Sequence, residues 1–145
     1  MRAFNKAILI LGKLLPMRFR IKLYRNLGMK IGSNSIIASE FYCDRLSGVN
    51  IGKGCYLNRF VYFHNTDISS ISITIGDNVY IGPHVKFLCA SHEVGTSEKR
   101  AGKTICGSIF VEDGAWIGAN STILPNVRIC RGGGNRSWCC SNKIY

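Results

Sequence analysis

The apolar residues of this chain follow neither the 3.6-residue period of a helix nor the alternation of a two-faced strand. From residue 31 an aliphatic side chain returns every sixth position, in IGSNSI (31–36), IGDNVY (75–80), IGPHVK (81–86), VEDGAW (111–116) and IGANST (117–122). Weaker copies begin at Ile51, Leu57 and Ile123. The second place in each copy favours Gly or another small or acidic residue, and the fifth favours a small residue or Val. One such hexapeptide arises easily by chance, but copies that follow in phase at 51 and 57, at 75 and 81, and at 111, 117 and 123 with Ile129 next do not. A fixed short period is the mark of a solenoid. Six fits a chain wound as a triangular prism, with short strands on three faces. Each aliphatic residue then points inward and stacks on its counterparts in adjacent coils. The fifth-place residue points into a corner with little room, and Gly in second place suits a turn with unusual backbone angles. An ordinary β-sandwich would repeat its turn signals at roughly 8–12 residues instead.

His92 ends the clean repeats, and residues 93–110 (EVGTSEKRAGKTICGSIF) lose the register until Val111. A solenoid interrupts itself where a loop can project, and such loops commonly carry function. Residues 1–30 read differently. The apolar run Ala7–Leu15 is broken by Gly12 and Lys13 and is far shorter than the about 20 residues a membrane span needs. No small-x-small cleavage site follows it, and Pro16 leads into MRFRIKLYR. This predicts an amphipathic helical arm, ended near Gly28, that packs on the body or also touches anionic lipid.

The whole chain of 145 residues, 46% hydrophobic and 19% charged, suits one folded domain with no intrinsic disorder. Its net charge of +11 is concentrated: residues 1–30 hold eight basic residues and no acid, whereas residues 31–145 hold eleven basic and eight acidic. A basic arm on a nearly balanced body argues against a nucleic-acid partner. The seven cysteines, at 43, 55, 89, 106, 130, 139 and 140, include no C-x-x-C pair. Reduced thiols in a cytoplasmic protein fit better than a disulfide framework or a zinc site, and the lipid alternative for the arm would place it peripherally at the inner face of the membrane.

The run ITIGDNVYIGPHVKFLCASHEV, the excursion, and then VEDGAWIGANSTILPNVRI resemble the hexapeptide-repeat acyltransferases, and among them the galactoside, maltose and polysaccharide O-acetyltransferases. The resemblance runs from about Ile31 to Ile129. It implies an all-β fold, a left-handed parallel β-helix of hexapeptide repeats. The handedness comes from the resemblance alone, since the general crossover rule favours the opposite hand. It also implies acetyl-CoA as co-substrate without a metal, a sugar or glycan-precursor acceptor, and a homotrimer with its sites in the clefts between neighbouring prisms. His92 then corresponds to the general base that deprotonates the acceptor hydroxyl, a task imidazole suits with its ordinary pKa of about 6.5. In CYLNRF, Tyr56 and Asn58 match acceptor-binding positions, and Asp67 resembles an acidic acceptor ligand although its spacing differs by a few residues. Trp116 and Ala119 match positions that line the CoA groove. His64 and His84 lack such a placement and read as structural or solvent-facing.

From Cys130 the pattern dissolves into CRGGGNRSWCCSNKIY. Under one choice of codons, reading the stretch from Asn135 one base later yields Ile-Gly-Ala-Gly-Ala-Val-Val-Thr-Lys-Tyr, the next coil in register. Residues 131–145 are therefore expected to be out of frame, with slippage near Gly132–Gly134. The resemblance assigns an Ala, a Thr and a Lys of the CoA groove to positions held here by Ser137, Asn142 and Lys143. An incomplete donor groove keeps two other readings open. One is a non-catalytic scaffold or binding protein on the same fold. The other is a γ-carbonic-anhydrase-like metal protein, which the spacing of His64, His84 and His92 does not favour, since that family places two of its histidines five residues apart.

Overall fold

The computed structural model describes residues 10, 12, 14–65, 68 and 70–133. Helix α1 (Met17–Asn26) leads into a succession of strands that are mostly two or three residues long. In chain order they are β1 (Lys30–Ile31), β2 (Ile36–Ile37), β3 (Tyr42–Cys43), β4 (Val49–Ile51), β5 (Tyr56–Leu57), β6 (Tyr62–His64), β7 (Ile73–Ile75), β8 (Tyr80–Ile81) and β9 (Lys86–Leu88). There follow β10 (Ala90–Val94), β11 (Ala101–Cys106), β12 (Ile109–Val111), β13 (Trp116–Ile117), β14 (Thr122–Ile123) and β15 (Arg128–Ile129). Three parallel sheets result, β1-β4-β7-β12-β15 on face 1, β2-β5-β8-β13 on face 2 and β3-β6-β9-β14 on face 3. Among the described residues only β10 and β11 stand apart, as an antiparallel pair.

The sixth-residue periodicity is the inside of this prism. Ile31, Ile51, Ile75, Val111 and Ile129 stack behind face 1, Ile37, Leu57, Ile81 and Ile117 behind face 2, and Cys43, Phe63, Phe87 and Ile123 behind face 3, all buried. Each burial of this kind stabilises by roughly 1.5–3 kcal/mol. The fifth-place residues fill the corners: Ser35, Cys55, Val79 and Ala115 between faces 1 and 2 (corner 1), Val61, Val85 and Ser121 between faces 2 and 3 (corner 2). At corner 1 the turns pass through the left-handed backbone region at Asn34, Gly54, Asn78, Gly114 and Gly132, where Gly has no Cβ to clash and Asn is tolerated.

Paired residues on face 1 are separated by 20, 24, 36 and 18 positions (Ile31–Ile51–Ile75–Val111–Ile129). The last step is three hexapeptides, and every excess over it leaves the prism between faces 3 and 1, at corner 3. There Arg45 and Asn65 hold the shorter connections. The buried Asn65 side chain bonds the Arg45 backbone at both N and O, and the Arg45 guanidinium reaches the carbonyls of Ile68 and Ile71.

Helix α1 closes the lower end. Arg20 and Tyr24, four apart on one face, are buried, and an Arg20 amine donates to the Ile37 carbonyl at 2.6 Å. Tyr24 starts a line of rings that continues into the prism through Phe41, Phe63 and Phe87, with centroid spacings of 5.9, 5.2 and 4.8 Å. The helix stops at Asn26, and Gly28 turns the chain at φ +95°.

Three sequence expectations change. The sequence places the excursion at 93–110, whereas the chain leaves face 3 at Ala90 and β11 ends at Cys106. The pattern was expected to dissolve from Cys130, yet corner 1 is completed once more: Gly132 N donates to Asp113 O, and Trp116 N donates to Gly133 O at 2.9 Å. Two hydrogen bonds to the coil below hold this turn although its side chains carry no hexapeptide signature. Reduced thiols hold for Cys43, Cys55, Cys89 and Cys106, whereas Cys130 is disulfide-bonded. Residues 134–145, with Ser137, Asn142 and Lys143, lie outside the described residues, as do positions 1–9 of the arm.

Candidate active site

His92 sits in the first strand of the corner 3 hairpin, paired with Thr104, just before a bulge that re-aims the strand between His92 and Val94. Its Nδ1 lies 3.1 Å from the Gly102 carbonyl oxygen. A carbonyl only accepts, so Nδ1 carries the proton and donates, which leaves the lone pair on Nε2 of the exposed ring. Gly102 is needed for this approach, because a Cβ there would come within 2.9 Å of the Glu93 carbonyl oxygen.

Trp116 opens β13 and stands outward on face 2, 65% exposed. It continues a ladder of outward side chains in direct register, Ile36, Tyr56, Tyr80 and Trp116, in which Tyr56 and Tyr80 stack at 6.1 Å. Asn58 follows β5 into corner 2, half-buried, its Oδ1 accepting from the Arg59 backbone N–H at 2.8 Å. Ala119 is exposed at the same corner two coils on. Its backbone N would lie 2.7 Å from a Cβ on Gly82, so that glycine sets how closely these coils stack. Asp67 lies outside the described residues. The site candidates thus fall into two groups. Asn58 and Ala119 share corner 2, bordering the face that carries Tyr56 and Trp116, while His92 projects from corner 3, the edge opposite that face.

The sequence reading missed a polar cluster on face 3. His64 Nδ1 is 2.6 Å from Asp44 Oδ2, and the Tyr62 hydroxyl lies 3.2 Å from both Asp44 oxygens and 3.1 Å from His64 Nδ1. His64 is thus held by a carboxylate just past β3, and it ends β6, where its carbonyl accepts from Cys89 N at the hairpin root. The findable signal was the 20-residue step of the first coil, which stacks Cys43 on Phe63 and so Asp44 beside His64. His84 stacks on Phe60 at the corner 2 turn. Among the described residues no three His, Cys, Asp or Glu side chains gather as a metal site would need. A hollow of about 300 Å³ on face 1 is lined by Phe110, Arg128 and Arg131, whose guanidinium groups bond Glu112 and Asp113.

A triangular parallel β-helix defines a class of fold, and known proteins share it. A hexapeptide-repeat acetyltransferase of Vibrio cholerae, solved in complex with acetyl-coenzyme A, superposes with a TM-score of 0.74 at 30% identity, over 90% of this chain and 69% of that one. A galactoside acetyltransferase solved with coenzyme A shares the fold at a TM-score of 0.72 and 24% identity, over 88% and 64% of the two chains. The galactoside O-acetyltransferase of Lactococcus lactis is 30% identical over 112 residues, 76% of this chain and 52% of its own length. No family model matches the sequence. The chain belongs to the hexapeptide-repeat acetyltransferases, and its prism is a left-handed β-helix. It spans about half the length of the curated relatives it matches.

Proposed function

We propose that this protein transfers the acetyl group of acetyl-CoA to a hydroxyl of a sugar or glycan precursor, with His92 as general base. One observation carries the reading: the Gly102 carbonyl fixes the His92 ring with its basic Nε2 free, on the hairpin that interrupts an otherwise periodic prism. Nε2 accepts the acceptor's hydroxyl proton as that oxygen attacks the thioester carbonyl. The carbon–sulfur bond then breaks, and the imidazolium returns the proton to the departing sulfur, giving the acetyl ester and free CoA thiol. Gly102 fixes the tautomer throughout, so the ring needs no reorientation between the two transfers.

Because Trp116 and Tyr56 stand on the face opposite the hairpin's edge, a cleft holding His92 beside Trp116 takes its two walls from different chains. This supports a homotrimer, with Trp116 and Ala119 toward the donor and Tyr56, Asn58 and Asp67 toward the acceptor. The V. cholerae relative's complex with acetyl-coenzyme A supports the choice of donor, and the L. lactis relative's name supports a galactoside-like acceptor. The outward side of α1, with Arg18, Phe19 and Lys22 exposed, supports contact of the arm with an anionic membrane surface.

The reading is tested by following free thiol release from acetyl-CoA with methyl galactoside and longer galactosides as acceptors, beside a calorimetric titration with acetyl-CoA. Acceptor-dependent thiol release is expected. Acetyl-CoA binding without any acceptor-dependent release would point instead to a binding protein on this fold.

A further inference from the structure

Corner 2 departs from the residue choice that corner 1 keeps. All five left-handed turns of corner 1 use Asn or Gly, whereas those of corner 2 fall on Phe60 (φ 61°), His84 (φ 58°) and Asn120 (φ 61°). At Phe60 a bulky ring clashes in this region through its Cβ without the local hydrogen bonding that lets Asn tolerate it, whereas His84 is of a type that enters the region more readily. Strain of this kind persists where surrounding structure enforces it, and it clusters at ligand clamps. Core packing does not call for these rings, because the inward positions beside them belong to the fully buried Val61 and Val85. Phe60 is 41% exposed and His84 is exposed, and the two rings lie face to face, centroids 4.7 Å apart and planes 17° from parallel.

The rim of this shelf is polar and flat. Arg59 lies 3.7 Å from Glu40, which also accepts from Ser39 at 2.6 Å, and Asn58 precedes them in the same turn. Ala119 and Asn120 sit on the next coil of the corner, where Asn120 N donates to Pro83 O. An aromatic surface bordered by an amide, a carboxylate and a guanidinium is the complement of a pyranose. The sugar's C–H face packs on the ring, and planar polar groups take neighbouring hydroxyls in pairs. Because Glu40 offsets Arg59, the rim favours a neutral ligand over a phosphate.

We infer that the Phe60–His84 stack is a subsite for a second pyranose ring of the acceptor, so that the acceptor is an oligosaccharide rather than a single sugar. Its description as an acceptor subsite rests on the acetyl-transfer reading, whereas glycan binding at the shelf does not.

The test uses the full chain without acetyl-CoA on an array carrying mono- and oligosaccharides, beside Phe60→Asn and His84→Asn, which restore the residue type of the regular turns. The native chain is expected to bind an oligosaccharide more tightly than its component sugar. Each variant should lose about tenfold of that affinity and none of its monosaccharide binding, and Phe60→Asn should also melt about 2–6 °C higher as strain is relieved. Variants that bind the oligosaccharide like the native chain, melt lower, or dissociate an oligomer in sedimentation would overturn the inference, as would a native chain that binds no glycan. If methyl galactoside is acetylated while the variants bind glycan normally, only this subsite is lost. If shelf variants lose glycan and no acceptor is acetylated, the subsite stands and the transferase reading fails.

Discussion

Corners 1 and 3 of the prism are made by the same chain under opposite rules. At corner 1 every coil turns in the same few residues through a left-handed Asn or Gly, and each turn bonds the one below it: Gly54 to Ser33, Asn78 to Lys53, Gly114 to Asp77 and Gly132 to Asp113. At corner 3 no two described connections are alike. The first coil closes through a single helical turn at Leu46–Gly48, the second through residues 65–72, and the third through the β10–β11 hairpin. Corner 1 sets the register, so its length is fixed. Corner 3 carries the excess, so its length is free, and the side chains with acid–base chemistry, Asp44, His64 and His92, stand on or beside its connections. Under the proposed function, the base stands where the solenoid tolerates insertion.

The contrast can be broken or sharpened by stability. Ile81→Ala, in the stack behind face 2, should lower the unfolding free energy by about 2–5 kcal/mol in urea titrations, since rigid neighbours leave a cavity. Val94→Ala in the hairpin, 81% exposed, should change it by no more than about 0.5 kcal/mol. Equal losses at the two positions would mean that the hairpin belongs to the cooperative core. Gly114→Ala at corner 1 should cost about 1–2 kcal/mol, wholly through its left-handed backbone, because nothing crowds the added methyl closer than 3.9 Å.

Thiol chemistry provides a smaller, more local contrast. Burial pushes the Cys89 thiol up to about 12 and raises Cys43 and Cys55 as well, so the prism interior presents almost no thiolate at pH 7.5. Cys106, partly exposed at the hairpin's end, should be alkylated before Cys43, Cys55 and Cys89 under native conditions, as peptide mapping would read. Labelling of Cys89 at the same rate would mean that corner 3 opens to the core. The smallest effect concerns α1. Exchanging Arg18 and Lys22 for Gln should weaken sedimentation with anionic vesicles by about 1 kcal/mol per charge at low salt, and unchanged sedimentation would leave the arm as a packing element.

The regular part was legible because one number, six, dictates both which residue points inward and where it stacks. The helix stop at Gly28 was legible for the same local reason, a glycine where the backbone must turn to positive φ. What the period does not encode was harder. Ala90–Val94 pairs with Ala101–Cys106 without a compact Asn-Gly turn or a clean alternation, so the excursion's limits came out displaced by a few residues. The Asp44–His64 pair follows from the 20-residue step between Ile31 and Ile51, but that step has to be carried on through Cys43 and Phe63, positions without the repeat's aliphatic residue. The Tyr24–Phe41–Phe63–Phe87 ring line joins the arm to three coils and leaves no short-range trace. His92 stands out in the sequence as the last residue before the break, and in the structure it lies two residues inside the hairpin that begins at Ala90. Its tautomer was not legible, because the Gly102 carbonyl that fixes it is ten residues away across a bulged pairing.

The central claim is that a corner 3 hairpin supplies the base while the prism only positions it. Its most direct measurement is His92→Ala, with turnover, acetyl-CoA affinity and thermal stability read on the same preparation. We predict a fall in kcat of about 10²–10⁴, with acetyl-CoA affinity and melting temperature nearly unchanged, because in the proposed mechanism the imidazole, exposed in the structure, acts only on the acceptor's proton. A mutant that keeps more than about half the native turnover would contradict the account.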